Sequence, residues 1–223
     1  MKALLTALTL GSAPVAAQDC RVALTLGLDV SSSVDGAEYS LQMEGLASAF
    51  EDAAVRRAIF QVPGQFVALQ VYEWSGVHDQ ALASDWGLVQ GPADLDRLSA
   101  TLRAHSRRFT NSATGLGHAL SYGLAQIRRA PACGFYKIDI SGDGQSNVGI
   151  PPHLLYRRED FGAVTVNGLA IESDEDALGR YYGSFVIRGP GAFVERAEDF
   201  SDFARAIREK LIRELGTPQL GMR

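Results

Sequence analysis

The 223-residue chain is poor in the residues on which most catalytic chemistry depends. It has four histidines, His78, His105, His118 and His153, and none of them stands at a metal-ligand spacing from another. A G-x-S-x-G elbow, an H-E-x-x-H helix, a P-loop and a G-x-G-x-x-G following a strand are all missing, which removes the common hydrolase, zinc-protease and nucleotide-binding signatures. The sequence has no internal repeat and no low-complexity stretch. With two cysteines it is too lean for a disulfide framework and has room for one bridge. Past the N-terminal segment, no apolar run approaches the ~18 residues of a membrane span. The formal charge of −5 argues against nucleic acid or an anionic lipid surface as the main partner.

The first segment has its own logic. Lys2, the apolar run from Ala3 to Leu10 and the small residues Val15-Ala16-Ala17 read as a secretory signal over residues 1–17. Residues 18–216 are then the expected domain and 217–223 a short tail. The product is secreted or periplasmic, in a bacterial setting. Gln18 and Asp19 before Cys20 are not the small residues that lipid attachment uses, so a soluble product is expected. About 200 residues bury one core comfortably, and one domain is the simplest count.

Apolar periodicity alternates between two kinds. Strands are expected at 22–29, 65–74, 80–89, 135–141, 164–171 and 192–196, the third of them an antiparallel edge. Helices are expected at 35–55, 92–105, 113–129 and 200–215, and the last carries Phe203, Ile207, Leu211 and Leu215 on one stripe. Alternating strands and helices imply an α/β fold, a doubly wound and mostly parallel central sheet with helices on both faces. Ligands of such sheets bind at the carboxyl ends of the strands.

Three fragments place oxygen donors at those ends. Asp29-Val30-Ser31-Ser32-Ser33 follows the first strand, Gly142-Asp143-Gly144 follows the fourth, and the loop Phe109 to Gly115 carries Thr110 and Thr114. Taken singly, such fragments are what turns and N-caps use. Together they supply the carboxylates and hydroxyls that suit a hard divalent cation. Alternation along the extended first loop turns Asp29, Ser31 and Ser33 to one side.

The three fragments, in this order, resemble the metal-ion-dependent adhesion site of von Willebrand factor type A domains. The resemblance runs from Cys20 to about Leu215 and looks closest to the secreted bacterial branch of that family. It implies that Ser31, Ser33 and Thr110 bind a metal through their hydroxyls, and Asp29 and Asp143 directly or through water. Thr110 takes the family position over Thr114 because it lies five residues before Gly115. The third loop departs from the family pattern in having Ser141 two residues before Asp143, where many members carry Thr next to the Asp. The implied ion is Mg²⁺, or else Ca²⁺ or Mn²⁺, and the implied partner is a protein that offers an Asp or Glu carboxylate.

Cys20 lies nine residues before Asp29, and Cys133 ten before Asp143. Both cysteines thus fall at the strand ends away from the metal. A Cys20–Cys133 bridge is expected in an exported chain, with two buried thiols as the alternative. Asp139, inside a buried strand, is expected to pair with Lys137 on the same side. Arg107 and Arg108 would steer an acidic group. Glu73 and the acidic run Glu172 to Asp176 are expected on the metal face. Tyr181, Tyr182 and Phe185 would lie in a loop, either packed or anchoring a partner. The reading is a secreted, metal-dependent protein-binding module with no catalytic residue. The runners-up are a metal-assisted hydrolase, with Asp29 or Asp143 as base and Glu73 or Glu172 as acid, and a structural extracytoplasmic domain.

Overall fold

A computed structural model describes residues 19–110, 112–172 and 177–216. Residues 1–18, on which the expected signal falls, residue 111, four residues of the acidic run, 173–176, and residues 217–223 lie outside the described residues. The strands are β1 (Asp19–Asp29), β2 (Gln65–Trp74), β3 (Gln80–Val89), β4 (Phe135–Gly142), β5 (Thr165–Ile171) and β6 (Val194–Ala197). They form one sheet in the order β3-β2-β1-β4-β5-β6, parallel throughout except for β3, which runs antiparallel to β2 at the edge. This is the doubly wound α/β sheet that the alternating pattern implies, with strand order reversing between β1 and β4.

Side-chain alternation along β1 divides the core. Val22, Leu24, Leu26 and Leu28 face a layer of helices α1 (Gly36–Glu51), α2 (Ala53–Phe60), α3 (Pro92–Ala104) and α7 (Phe203–Leu215). The other face of the sheet, with Tyr72, Ile138, Ile140 and Val166, is covered by α4 (Leu116–Ile127), α5 (Pro152–Arg158) and α6 (Ala177–Tyr181). Burying each such Leu or Ile side chain contributes roughly 1.5–3 kcal/mol.

The expected single helix over 35–55 is two helices. Asp52 adopts extended backbone (ψ 133°), closing α1, and its carboxylate accepts from Ala54 N and Val55 N to open α2. An Asp that can cap begins a new helix more readily than it continues an old one. The segment expected as loop around Tyr181 and Tyr182 is α6 followed by a π-helical turn, Tyr182–Val186. There Tyr182 is fully buried, while Phe185 remains exposed.

Cys20 and Cys133 form the expected disulfide, Cα atoms 4.5 Å apart, at the amino ends of neighbouring strands. The expected Lys137–Asp139 pair does not form. Asp139 pairs instead with Lys210 of α7 (2.9 Å), which also holds Glu214 (2.6 Å), while Lys137 Nζ donates to the Glu214 carbonyl (2.5 Å). A helix laid across the strand delivers an ammonium directly over the buried carboxylate, whereas the long Lys137 stem reaches past it to the helix end. Burial still pushes the Asp139 carboxyl upward, with Lys210 opposing.

Candidate metal centre

β1 ends at Asp29, whose Oδ1 accepts from Ser31 N (2.8 Å) and folds the next residues into a tight turn. Asp35 then caps α1 in a reciprocal capping box with Glu38, so only six residues separate strand from helix. Within that turn the Ser31 and Ser33 hydroxyls meet at 3.1 Å, and Ser33 Oγ donates to Asp143 Oδ1 (2.9 Å) at the end of β4. The first and third loops therefore converge as the strand-end argument requires.

The middle loop brings Thr114 against the serines, while Thr110 is exposed. Thr114 is buried, with Oγ1 3.5 Å from Ser31 Oγ. After α3 the backbone meets the Ser31–Asp35 turn where Ser112 O accepts from Ser32 N (2.8 Å). Thr114 is then clamped by Asn147, which accepts from Thr114 N (2.8 Å) and returns a backbone bond to Thr114 O (2.9 Å). Thr114 stands two residues before α4.

Burial and the neighbouring Asp143 charge push the Asp29 carboxyl up to about 7, and burial raises Asp143 as well. No ion pair neutralises either carboxylate among the described residues. Asp29 Oδ2 is buried without a donor, and Tyr182 Oη and Trp74 Nε1 are likewise buried without a hydrogen-bond partner. All three side chains crowd Gly142, where a Cβ would stand 2.7 Å from Tyr182 Oη and 2.8 Å from Asp29 Oδ2. Only glycine lets β4 pass this close. A donor set of two carboxylates and three hydroxyls, one buried carboxylate oxygen lacking a partner, fits a hard cation with water in its shell. No cluster of three His, Cys, Asp or Glu side chains occurs among the described residues, so the site has no soft-metal character.

Other expected site residues hold the loops in place. Arg107 donates its guanidinium to the carbonyls of Val30 (2.8 Å), Ser31 (3.0 Å), Val34 (2.8 Å) and Phe109 (2.7 Å), and so fastens the Ser31–Asp35 turn. Glu73, expected on the surface, is fully buried and accepts from Tyr39 Oη (2.7 Å) and Arg108 N (3.0 Å), with His105 Nε2 3.1 Å away. Glu172 accepts from the first amides of α6 and pairs with Arg196 (2.8 Å). These roles depend on contacts between distant segments and leave no periodic trace in the sequence.

A family profile described as "Protein of unknown function (DUF1194)" matches residues 19–219. The chain belongs to this family. No curated protein matches it. Among solved structures, the DUF1194 chain is similar to a von Willebrand factor type A protein from Catenulispora acidiphila, 17% identical with a TM-score of 0.58, covering 89% of this chain and 43% of that one. It is also similar to proximal thread matrix protein 1 from the mussel byssus with a zinc-occupied MIDAS motif, 17% identical, TM-score 0.61, covering 88% and 48%. A third relative in fold is the pilus adhesin SpaC of Lactobacillus rhamnosus GG in its open conformation, 12% identical, TM-score 0.60, covering 87% and 30%. The DUF1194 chain thus spans less than half the length of each of the three. Its fold is that of a von Willebrand factor type A domain.

Proposed function

We propose that this protein is an exported, metal-dependent protein-binding module. The observation that carries the reading is the convergence of Asp29, Ser31, Ser33, Thr114 and Asp143 from three loops at the carboxyl ends of β1 and β4, with one buried carboxylate oxygen left without a donor. These five side chains would hold a divalent cation, Mg²⁺ by preference for its hard oxygen set. When bound, the ion supplies a positive centre that an Asp or Glu carboxylate of a partner protein completes. The hydroxyl ligands are neutral, so the chain itself leaves much of the ion's charge for that carboxylate. The zinc-occupied motif of the mussel protein and the adhesive role named for SpaC support the same reading. Export is supported by the signal-like residues 1–17 and by the disulfide. A binding role, as against catalysis, is supported by the engagement of Glu73 and Glu172, the two acids a hydrolase would need, in holding backbone amides.

The test is a calorimetric Mg²⁺ titration of the mature protein, followed by capture from the exported fraction with and without chelator. Wild type should bind one ion. Asp143→Ala should bind none while keeping its circular dichroism spectrum. Thr114→Ala should weaken binding about tenfold or more, and Thr110→Ala should leave it unchanged. Absence of any Mg²⁺ heat, or capture that survives chelation, would overturn the proposal.

A further inference from the structure

A cavity of about 1020 Å³ lies at the pole opposite the metal centre. It opens where the amino ends of β4 and β5 meet the carboxyl ends of α2 and α7. Arg57, Lys137 and Arg213 line it, and no Asp or Glu does. In a chain with 26 acidic and 21 basic side chains, a large cavity of one sign is a departure from the general balance.

Two helix ends lie here, and their carbonyls attract cations for ordinary reasons. Those carbonyls are already served. Arg21 donates to Leu215 O (2.6 Å), Ala58 O (3.2 Å) and Ile59 O (3.0 Å), and Lys137 donates to Glu214 O. Arg57 is exposed and has no ion-pair partner among the described residues. Arg213 lies flat over the Phe193 ring, 3.6 Å from its centroid, which fixes the guanidinium at the cavity wall. Phe193 is itself locked by Asn167, which accepts from Phe193 N (3.1 Å) and donates to Glu214 Oε1 (2.6 Å). The Lys137 ammonium has one carbonyl partner, the Glu214 backbone oxygen, while Lys210 and Asn167 both meet Glu214 Oε1. Burial and the neighbouring Lys210 and Arg21 charges lower the Lys137 ammonium from its ordinary value, with Glu214 opposing. The wall thus carries three cations, one stacked and one half-buried, beside an apolar floor that includes Phe193 and Ile212.

We propose that this cavity binds a small organic oxyanion carrying at least two negative charges, with Arg57, Lys137 and Arg213 around the head group and Ile212 against its body. Guanidinium forks match phosphate and carboxylate oxygens alike, so the shared chemistry is the oxyanion. The site shares no residue with the metal centre and does not depend on the function proposed there.

The experiment is calorimetry of the mature protein with three probes, inorganic phosphate, glucose 6-phosphate and citrate, each against chloride at equal ionic strength. Saturable binding is expected, tightest for the organic probe whose head group the site prefers. Glucose 6-phosphate above citrate assigns phosphate, and the reverse order assigns carboxylate. Arg57→Gln combined with Arg213→Gln changes only exposed side chains and should weaken binding at least tenfold. Arg158→Gln, on α5, should not change it, and Asp143→Ala should bind as wild type does. No saturable binding by any probe, or binding that persists in the double variant, would overturn the assignment.

Discussion

At the scale of single residues, Asp29 carries the sharpest consequence. Its carboxyl is raised to about 7 in the folded protein against an ordinary value of 3.8, mainly because it is buried. Between those values the folded state holds a proton that the unfolded state has lost, so stability falls as pH rises from about 4 to about 7. In chelator, wild type should therefore lose stability across that window relative to Asp29→Asn, by on the order of 4 kcal/mol at 1.36 kcal/mol per unit. Denaturant unfolding of both proteins from pH 4 to 8 measures it, and parallel curves would refute the burial account. Added Mg²⁺ should restore wild type most at the alkaline end, where the carboxylate is ionised. The acids and serines of this site were legible in the sequence because they are tied to strand ends, which apolar runs announce. The middle loop offers two threonines, Thr110 and Thr114, and the route of the backbone past Ser32 and Asn147, which brings Thr114 against Ser31, has no trace in the local sequence.

Among the elements, the loop between α3 and α4 shows how a fold braces a site as well as contributing a side chain to it. Arg107 ties four carbonyls together while its guanidinium lies 5.7 Å over the Tyr39 ring, and Tyr39 in turn is held by the buried Glu73. Hydrogen bonds from a charged group contribute about 1.5–3 kcal/mol each in net terms and do not add when they share one side chain. Arg107→Ala should thus destabilise the protein by about 2–3 kcal/mol. It should also weaken Mg²⁺ binding about tenfold, as loss of an outer support does. Paired unfolding and metal titrations decide this, and an unchanged metal affinity would show that the turn is rigid without it. Long amphipathic helices and both edges of the β2–β3 pair follow from periodicity. The seven-residue α5 and the π-helical turn do not, because each is shorter than the window over which a helical period can be recognised.

For the molecule as a whole, the mostly parallel sheet with its antiparallel edge, the helical layers and the bridge were all legible, since alternating strands and helices leave few ways to build such a sheet. The disulfide encloses a segment of more than one hundred residues (sequence separation 113), and its removal should cost about 2–5 kcal/mol. Cys20→Ser with Cys133→Ser should lower the unfolding midpoint while leaving Mg²⁺ affinity unchanged, because bridge and metal centre occupy opposite poles. A loss of metal binding in that variant would refute the separation. Asp19 and Gly216 also emerge together at the bridge pole, joined through Arg21 and Leu215. A load applied at Asp29 and resisted at Asp19 therefore runs along the covalent backbone of β1, the central strand, and the Cys20–Cys133 bond passes part of it into β4. The same geometry that sets Asp29 at the tip of a central strand makes the module hard to pull apart from that tip.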